Sequence, residues 1–131
     1  MSEHVIDSSE PYHPEKLEEK DYVGAAAYFE LDLRTGIILK VEEFPEMRKP
    51  SYKIEVDFGP VIGKLWSSAQ ITNYSRAELV GRSVVGALNL GDKTLPTGFV
   101  SQFLVLGALE PDGTVKLLEL PEEVNPGSMV A

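Results

Sequence analysis

Histidine occurs only at His4 and His13, and cysteine does not occur at all. Both histidines fall in a polar opening stretch that contains Pro11 and Pro14 and has no strand or helix period. A Ser/His/Asp triad or a histidine metal site needs its imidazole on a rigid element, and this stretch offers none. Glu42 and Glu43 are adjacent in a run of strand character, so their carboxylates point to opposite faces and cannot serve one substrate as acid and base. Solvated surface charge is the better reading of that pair. Gly59-Pro60-Val61-Ile62-Gly63 reads as a hairpin connection, without the lysine and following helix of a phosphate loop. The inventory therefore predicts a non-enzymatic binding protein that needs neither cofactor nor metal.

The best candidate for binding is Lys64 to Thr72, KLWSSAQIT. As a strand it would set Leu65, Ser67, Ala69 and Ile71 against a core and Trp66, Ser68, Gln70 and Thr72 on the other face. That second face combines an aromatic plate with three uncharged hydrogen-bonding groups. Spacing alone favours an ordinary half-exposed strand over a recognition surface, since Ser and Thr are common in solvent. Trp66 has two roles open to it. It is either a flat face for a nucleobase or a peptide side chain, with stacking worth roughly 1 to 3 kcal/mol per base, or a cover for a barrel wall or subunit seam, as befits a residue that is usually mostly buried.

The elements that would position this stretch follow from periodicity. Residues 1 to 24 are expected to form an acidic, mobile extension. Ala25 to Leu31 reads as a short helix with Asp21 as a possible cap, too short to stand without packing on something. Strands are predicted over Gly36 to Phe44 and Ser51 to Phe58; the second alternates Tyr52, Ile54, Val56 and Phe58 with Ser51, Lys53, Glu55 and Asp57. Between them, Pro45 and Pro50 hold Arg48 and Lys49 in an extended loop. After KLWSSAQIT, Ser75 and Glu78 form a capping box for a single short helix that Gly81 ends. Arg82 to Leu90, Phe99 to Ala108 and Val115 to Leu120 complete the strands, and residues 121 to 131 form a Pro/Gly-rich arm.

The predicted fold class is all-β. An OB-type five-stranded antiparallel barrel fits, with one short helix after strand three and a short N-terminal helix, formed by residues 25–131 as one domain. Such barrels bind ligands on the face of strands two and three, which places KLWSSAQIT at the working surface. Its floor is expected to include Trp66, Leu90 and Phe99. The run Phe103 to Leu106 is apolar on both faces and so requires two covers, the barrel interior and a second subunit.

Charge narrows the ligand. The net charge is −9 over 131 residues, yet residues 1–32 hold nine acids against two bases, residues 110–131 five against one, and residues 33–109 seven against nine. The body is nearly neutral and the acid sits in the ends. That distribution suits a polypeptide or a polynucleotide, without tight charge-dominated binding. Absence of cysteine, of a leader segment and of a long apolar run leads to the expectation of a cytoplasmic protein without membrane insertion.

KVEEFPEMRKPSYKIEVDFG, SSAQITNY followed by a short helix and Gly81-Arg82, and ALNL with a later Ser in GFVSQFLVLG together resemble the stand-alone tRNA-binding-domain proteins of the CsaA export-chaperone type. The resemblance runs from about Phe29 to the C-terminus, including VNPGSMVA against the family's closing Pro-Gly arm. It implies a homodimeric OB fold without a catalytic centre. It also implies binding of unfolded or precursor polypeptides, contact with the export machinery, and kinship with tRNA-binding appendages of aminoacyl-tRNA synthetases. Carried over by position, the resemblance places ligand contacts at Ser67, Ser68, Gln70, Thr72, Asn89 and Ser101, with Arg48 and Lys49 where the family often has bases. Where relatives tend to be basic, this chain has Leu65-Trp66, Asn73 and Gly91-Asp92-Lys93. Fewer bases mean weaker phosphate contact. The expected function is a chaperone for unfolded or export-bound polypeptides, with tRNA binding on the same face as the alternative.

Overall fold

A computed structural model describes residues 12–121 and 124–131. Strand β1, Leu33–Glu43, is the spine, and it serves two neighbours in turn. Its first half, Leu33 to Ile37, pairs antiparallel with β4, Ser83–Ala87. Its second half, Ile37 to Glu43, pairs with β2, Tyr52–Asp57. The switch occurs where the register slips between Ile38 and Lys40, a bulge that bends the strand and lets one sheet curl back on itself. With β3, Lys64–Ala69, and β7, Leu104–Val105, the order is β3-β2-β1-β4-β7. Short hairpins join β5 (Lys93–Thr94) to β6 (Val100–Ser101) and β8 (Gly107–Leu109) to β9 (Val115–Leu117). The expected OB-type barrel is what forms.

Alternation fills the interior. Tyr52, Ile54 and Val56 of β2 are buried and its Lys53, Glu55 and Asp57 face outward, as the period-two pattern requires. Phe58, fully buried, fills the centre edge-on to Phe103, with 4.9 Å between ring centroids. Two glycines make room for it. A Cβ on Gly36 would lie 2.8 Å from the Phe58 ring, and one on Gly86 2.7 Å. Leu79, also fully buried, comes from helix α3, Arg76–Leu79. The predicted capping box holds that helix: Glu78 N–H donates to Ser75 Oγ at 3.2 Å, and Ser75 N–H donates to Glu78 Oε1 at 2.8 Å. Donation to the carboxylate lowers the Glu78 pKa below its ordinary value, the Ser75 backbone N–H first and the Ser75 hydroxyl second. Asp112 is lowered in the same way by the Thr114 hydroxyl and then by the Thr114 N–H, in the turn between β8 and β9.

Several local expectations are corrected. Helix α1, Ala25–Phe29, starts from Gly24 rather than Asp21; Gly24 has φ of 78°, and no side chain caps the helix. The Gly59 to Gly63 connection contains a turn of helix, α2 (Gly59–Ile62), because Pro60 suits a first helical turn. Strand β3 stops at Ala69, and Tyr74 N–H closes a turn on Ile71 O at 3.1 Å, so Gln70 and Thr72 lie beyond the strand. The predicted single strand from Phe99 to Ala108 is broken into β6, β7 and the start of β8 as the chain rounds the barrel. Of its apolar run, Phe103 is core and Leu104 is exposed.

Residues 1–11 of the expected extension, His4 among them, lie outside the described residues. Residues 12–24 contain one 3-10 turn, Pro14–Lys16, and are largely exposed. At the other end, the arm lies along the start of β1. Gly127 N–H donates to Thr35 O at 2.8 Å, Thr35 N–H to Ser128 O at 2.9 Å, and Val130 N–H to Leu33 O at 2.9 Å. Tyr28 Oη of α1 donates to Val130 O at 3.3 Å, so helix and arm share one side of the barrel.

Candidate ligand-binding face

The outward residues of β1, β2 and β3 form three rows across the strands, one of which sets Ile37 opposite Asp57 and Asp57 opposite Lys64. Glu42 stands opposite Lys53, and Lys53 opposite Ser68; in the next row Lys40 stands opposite Glu55, and Glu55 opposite Trp66. Each row carries one acid and one base, so the face has no net charge. Directly opposed residues of unlike sign attract modestly and leave little field for a charged ligand.

One end of this face deepens into an open groove of about 390 Å³ lined by Glu42, Lys53, Trp66, Phe99, Val100 and Gln102. Its aromatic side is organised around a lysine. Lys53 Nζ lies 4.7 Å from the Phe44 ring centroid and 5.4 Å from that of Phe99, and the two rings meet edge to face at 5.3 Å. Such placement is favourable because the ring face carries negative electrostatic potential. Phe44 is buried and fixed, whereas Phe99 comes from the β5–β6 hairpin, where Leu95 N–H donates to Phe99 O at 2.8 Å.

The serines flank the groove and also close the barrel. Strand β3 meets residues 101–103 through a seam made largely by side chains. Ser68 N–H donates to Ser101 Oγ at 3.2 Å, and Ser101 Oγ lies 3.1 Å from Ser67 Oγ. Ser67 Oγ donates to Phe103 O at 2.8 Å. With the Ser67 proton directed to Phe103, the Ser101 hydroxyl supplies the bond between the two serines, and each hydroxyl both gives and receives. Gln102 adds a two-way clasp: its backbone N–H donates to Trp66 O at 2.8 Å, and its Oε1 accepts from Trp66 N–H at 3.0 Å.

The expected site residues therefore separate. Trp66 lines the groove, and Ser68 and Ser101 are half-buried at its margin. Ser67 is 2% exposed and faces the seam. Asn89 is engaged elsewhere, its Oδ1 accepting from Asp32 N–H at 2.8 Å and its Nδ2 donating to Glu30 O at 2.7 Å, which pins the end of α1 to the barrel. Gln70 is half-buried past the end of β3, Thr72 is exposed in a turn, and Arg48 and Lys49 sit in the β1–β2 connection. Leu90, expected on the floor, does not line the groove; Val100 does.

Sequence reasoning did not single out Glu42, Lys53 or Gln102 as site residues. For Lys53 the signal was present, as the outward residue of strand two. Gln102 had no local signal, because only barrel closure brings it to Trp66. Among the described residues no cluster of three or more His, Cys, Asp or Glu could hold a metal. Among them, too, no helix is long and apolar enough to cross a membrane.

Residues 33–129 match the family model described as a putative tRNA binding domain. Among curated proteins, a methionine--tRNA ligase of Phocaeicola vulgatus is 32% identical over 111 residues, which is 85% of this chain but 16% of the ligase. A second such ligase, from Methanococcus maripaludis, is 36% identical over 113 residues, again 16% of its length. Among solved structures, the CsaA chaperone protein from Picrophilus torridus superposes with a TM-score of 0.78 at 40% identity, covering 84% of this chain and all of its own. CsaA from Bacillus anthracis gives 0.79 at 37% identity, covering 85% and 100%. The chain therefore belongs to the tRNA-binding-domain family, as an OB-type barrel that is similar to CsaA chaperone proteins along their whole length.

Proposed function

We propose that this protein is a non-enzymatic, cytoplasmic chaperone that holds extended segments of unfolded or export-bound polypeptides in the Trp66–Phe99 groove and hands precursors to the export machinery. The observation that carries this reading is the charge-compensated face of β1–β3 around an aromatic groove. An extended peptide needs apolar contact and a few backbone hydrogen-bond partners, and it tolerates a neutral surface. A polyphosphate backbone needs clustered cations. Likeness to two CsaA proteins over their full length supports the same reading. The test is suppression of aggregation of a denatured substrate, with Trp66→Ala as the control. Retention of tRNA in a gel shift at physiological salt, without any protection from aggregation, reverses the ranking.

Binding of tRNA is the second reading, favoured by the match of residues 33–129 to the tRNA-binding family. On this barrel it would rest on RNA shape rather than sequence, with Arg48 and Lys49 of the β1–β2 connection and Lys40 and Lys64 of the outer face as contributing bases. Salt titration separates the two: RNA affinity falls steeply between 50 and 200 mM salt, on the order of ten-fold for each two phosphates or so neutralised, while peptide affinity changes little.

We further infer a homodimer built on the side shared by α1 and the arm. Phe29, Val61 and Met129 are 78%, 80% and 82% exposed; Val61 lies beside arm residues 125–128, Met129 belongs to the arm, and Phe29 packs on Tyr28, whose hydroxyl reaches Val130. A five-residue helix is unstable by itself, and burying its outer face against a second copy would supply what it lacks. The Phe103 to Leu106 run, with Phe103 in the core and Leu104 43% exposed, is the other surface that a second copy could cover.

A further inference from the structure

We propose that Lys53 is a cation withheld from phosphate, and that Phe99 decides how far the groove favours peptide over RNA. The inference rests on the peptide reading of the groove and supplies its mechanism. Lys53 lines the groove, where a ligand would lie, and is one of three lysines on the outer face of β1–β3, with Lys40 and Lys64. In such a place an unconstrained lysine is a phosphate contact. Here its ammonium lies over Phe44 and Phe99 at 4.7 and 5.4 Å, with Glu42 directly across the strand pair. To reach a phosphate it must leave two ring faces and part from a facing carboxylate. The two halves of the holder differ. Phe44 is buried at 3% exposure and belongs to the barrel, whereas Phe99 is carried by the β5–β6 hairpin and rests against Phe44 from outside. Phe99 is thus the removable half.

The residues make this a specificity device rather than a fold requirement. Replacing Phe99 with leucine keeps apolar bulk against Phe44 but removes the aromatic face on the hairpin side. Lys53 then keeps the Phe44 face and Glu42 but loses its outer ring, and the groove acquires a less tightly held positive charge beside Trp66 and Gln102. A base on Trp66 with its phosphate on Lys53 becomes possible without any new residue.

The experiment compares wild type, Phe99→Leu, Lys53→Gln and the double variant. The slope of log affinity for tRNA against log salt is expected to steepen by ~0.9 in Phe99→Leu, which is about a 3.5-fold larger loss of affinity between 50 and 200 mM salt. Lys53→Gln alone leaves the slope unchanged, and adding it to Phe99→Leu restores the wild-type slope. A shallower slope in Lys53→Gln alone would show that Lys53 already contacts phosphate and would overturn the proposal. So would an unchanged slope in folded Phe99→Leu. A readout independent of RNA is the rate of reductive methylation at Lys53, read by mass spectrometry against Lys40. Lys53 should react more slowly than Lys40 in wild type and approach its rate in Phe99→Leu; equal rates in wild type also overturn the proposal. If no variant binds tRNA, the RNA reading falls, and the methylation rates alone decide whether Lys53 is held.

Discussion

On the outer face of β1–β3 each charge meets its opposite across the next strand, whereas around α1 and the C-terminal arm Phe29, Val61 and Met129 stand exposed beside the arm. The groove has apolar surface, but it is bounded by Glu42, Lys53 and Gln102, of which Lys53 lies over the Phe44 ring and Gln102 bonds Trp66. Such a surface tolerates exchange between water and a transient ligand. The α1–arm side presents side chains that gain only by being covered, which suits a permanent partner of the same kind. On the proposed function, one barrel offers a surface for release and a surface for retention.

The comparison breaks most readily at the second surface. Phe29→Asp with Met129→Asp should weaken self-association by about 100-fold or more, since each buried apolar side chain contributes roughly 1.5 to 3 kcal/mol. Sedimentation velocity at micromolar concentration checks this, and a wild type that is already monomeric there removes the inferred dimer. Peptide affinity per protomer should stay the same, because the groove is built within one chain. At the groove, Trp66→Ala should lower peptide affinity by about ten-fold, within the range of 1 to 3 kcal/mol for a lost aromatic platform, and should leave the association state unchanged. Fluorescence anisotropy with a labelled precursor segment measures it.

The seam between Ser67 and Ser68 of β3 and Ser101 sharpens the same contrast from the side of stability. Ser67→Ala should destabilise the fold by about 1 to 3 kcal/mol, because Phe103 O and the Ser101 hydroxyl lose a buried partner. Chemical denaturation gives the value; a loss of affinity with unchanged stability would instead make Ser67 a ligand contact. Ser75→Ala should cost about 1 kcal/mol through the lost cap of α3. Its acid dependence has a defined sign. The Glu78 carboxyl is lowered in the folded state, so the stability it contributes is present above its unfolded value and is lost as pH falls through the folded one. Ser75→Ala keeps the larger, backbone cause of that shift and loses only the hydroxyl's, so the cap difference should persist at all pH and shrink only slightly as Glu78 is protonated.

Much of this was legible in the chain before folding. Alternation in Tyr52 to Asp57 gave both the buried and the outward residues of β2, and Ser75 with Glu78 announced helix α3 three residues apart. Trp66 on an outward position of β3 was equally readable. The limits had physical causes. Strand β3 ends early because the turn at Ile71 to Tyr74 ends regular pairing, so Gln70 and Thr72 leave the row that simple alternation assigned them. Asn89 reads as a polar group after a strand, yet its amide is spent on Asp32 and Glu30, which lie 57 and 59 positions away in sequence.

Sequence by itself determined the alternation of β2, the single capped helix and the acidic ends around a nearly neutral body, because periodicity, caps and charge are local quantities, and its motifs carried the resemblance to the family. Tertiary structure alone decided that paired serines close a barrel, that Gln102 clasps Trp66, and that Lys53 lies over two rings. Those facts depend on closure. A bulge between Ile38 and Lys40 bends β1 until residues 101–103 meet β3, and only then do side chains more than thirty positions apart become neighbours.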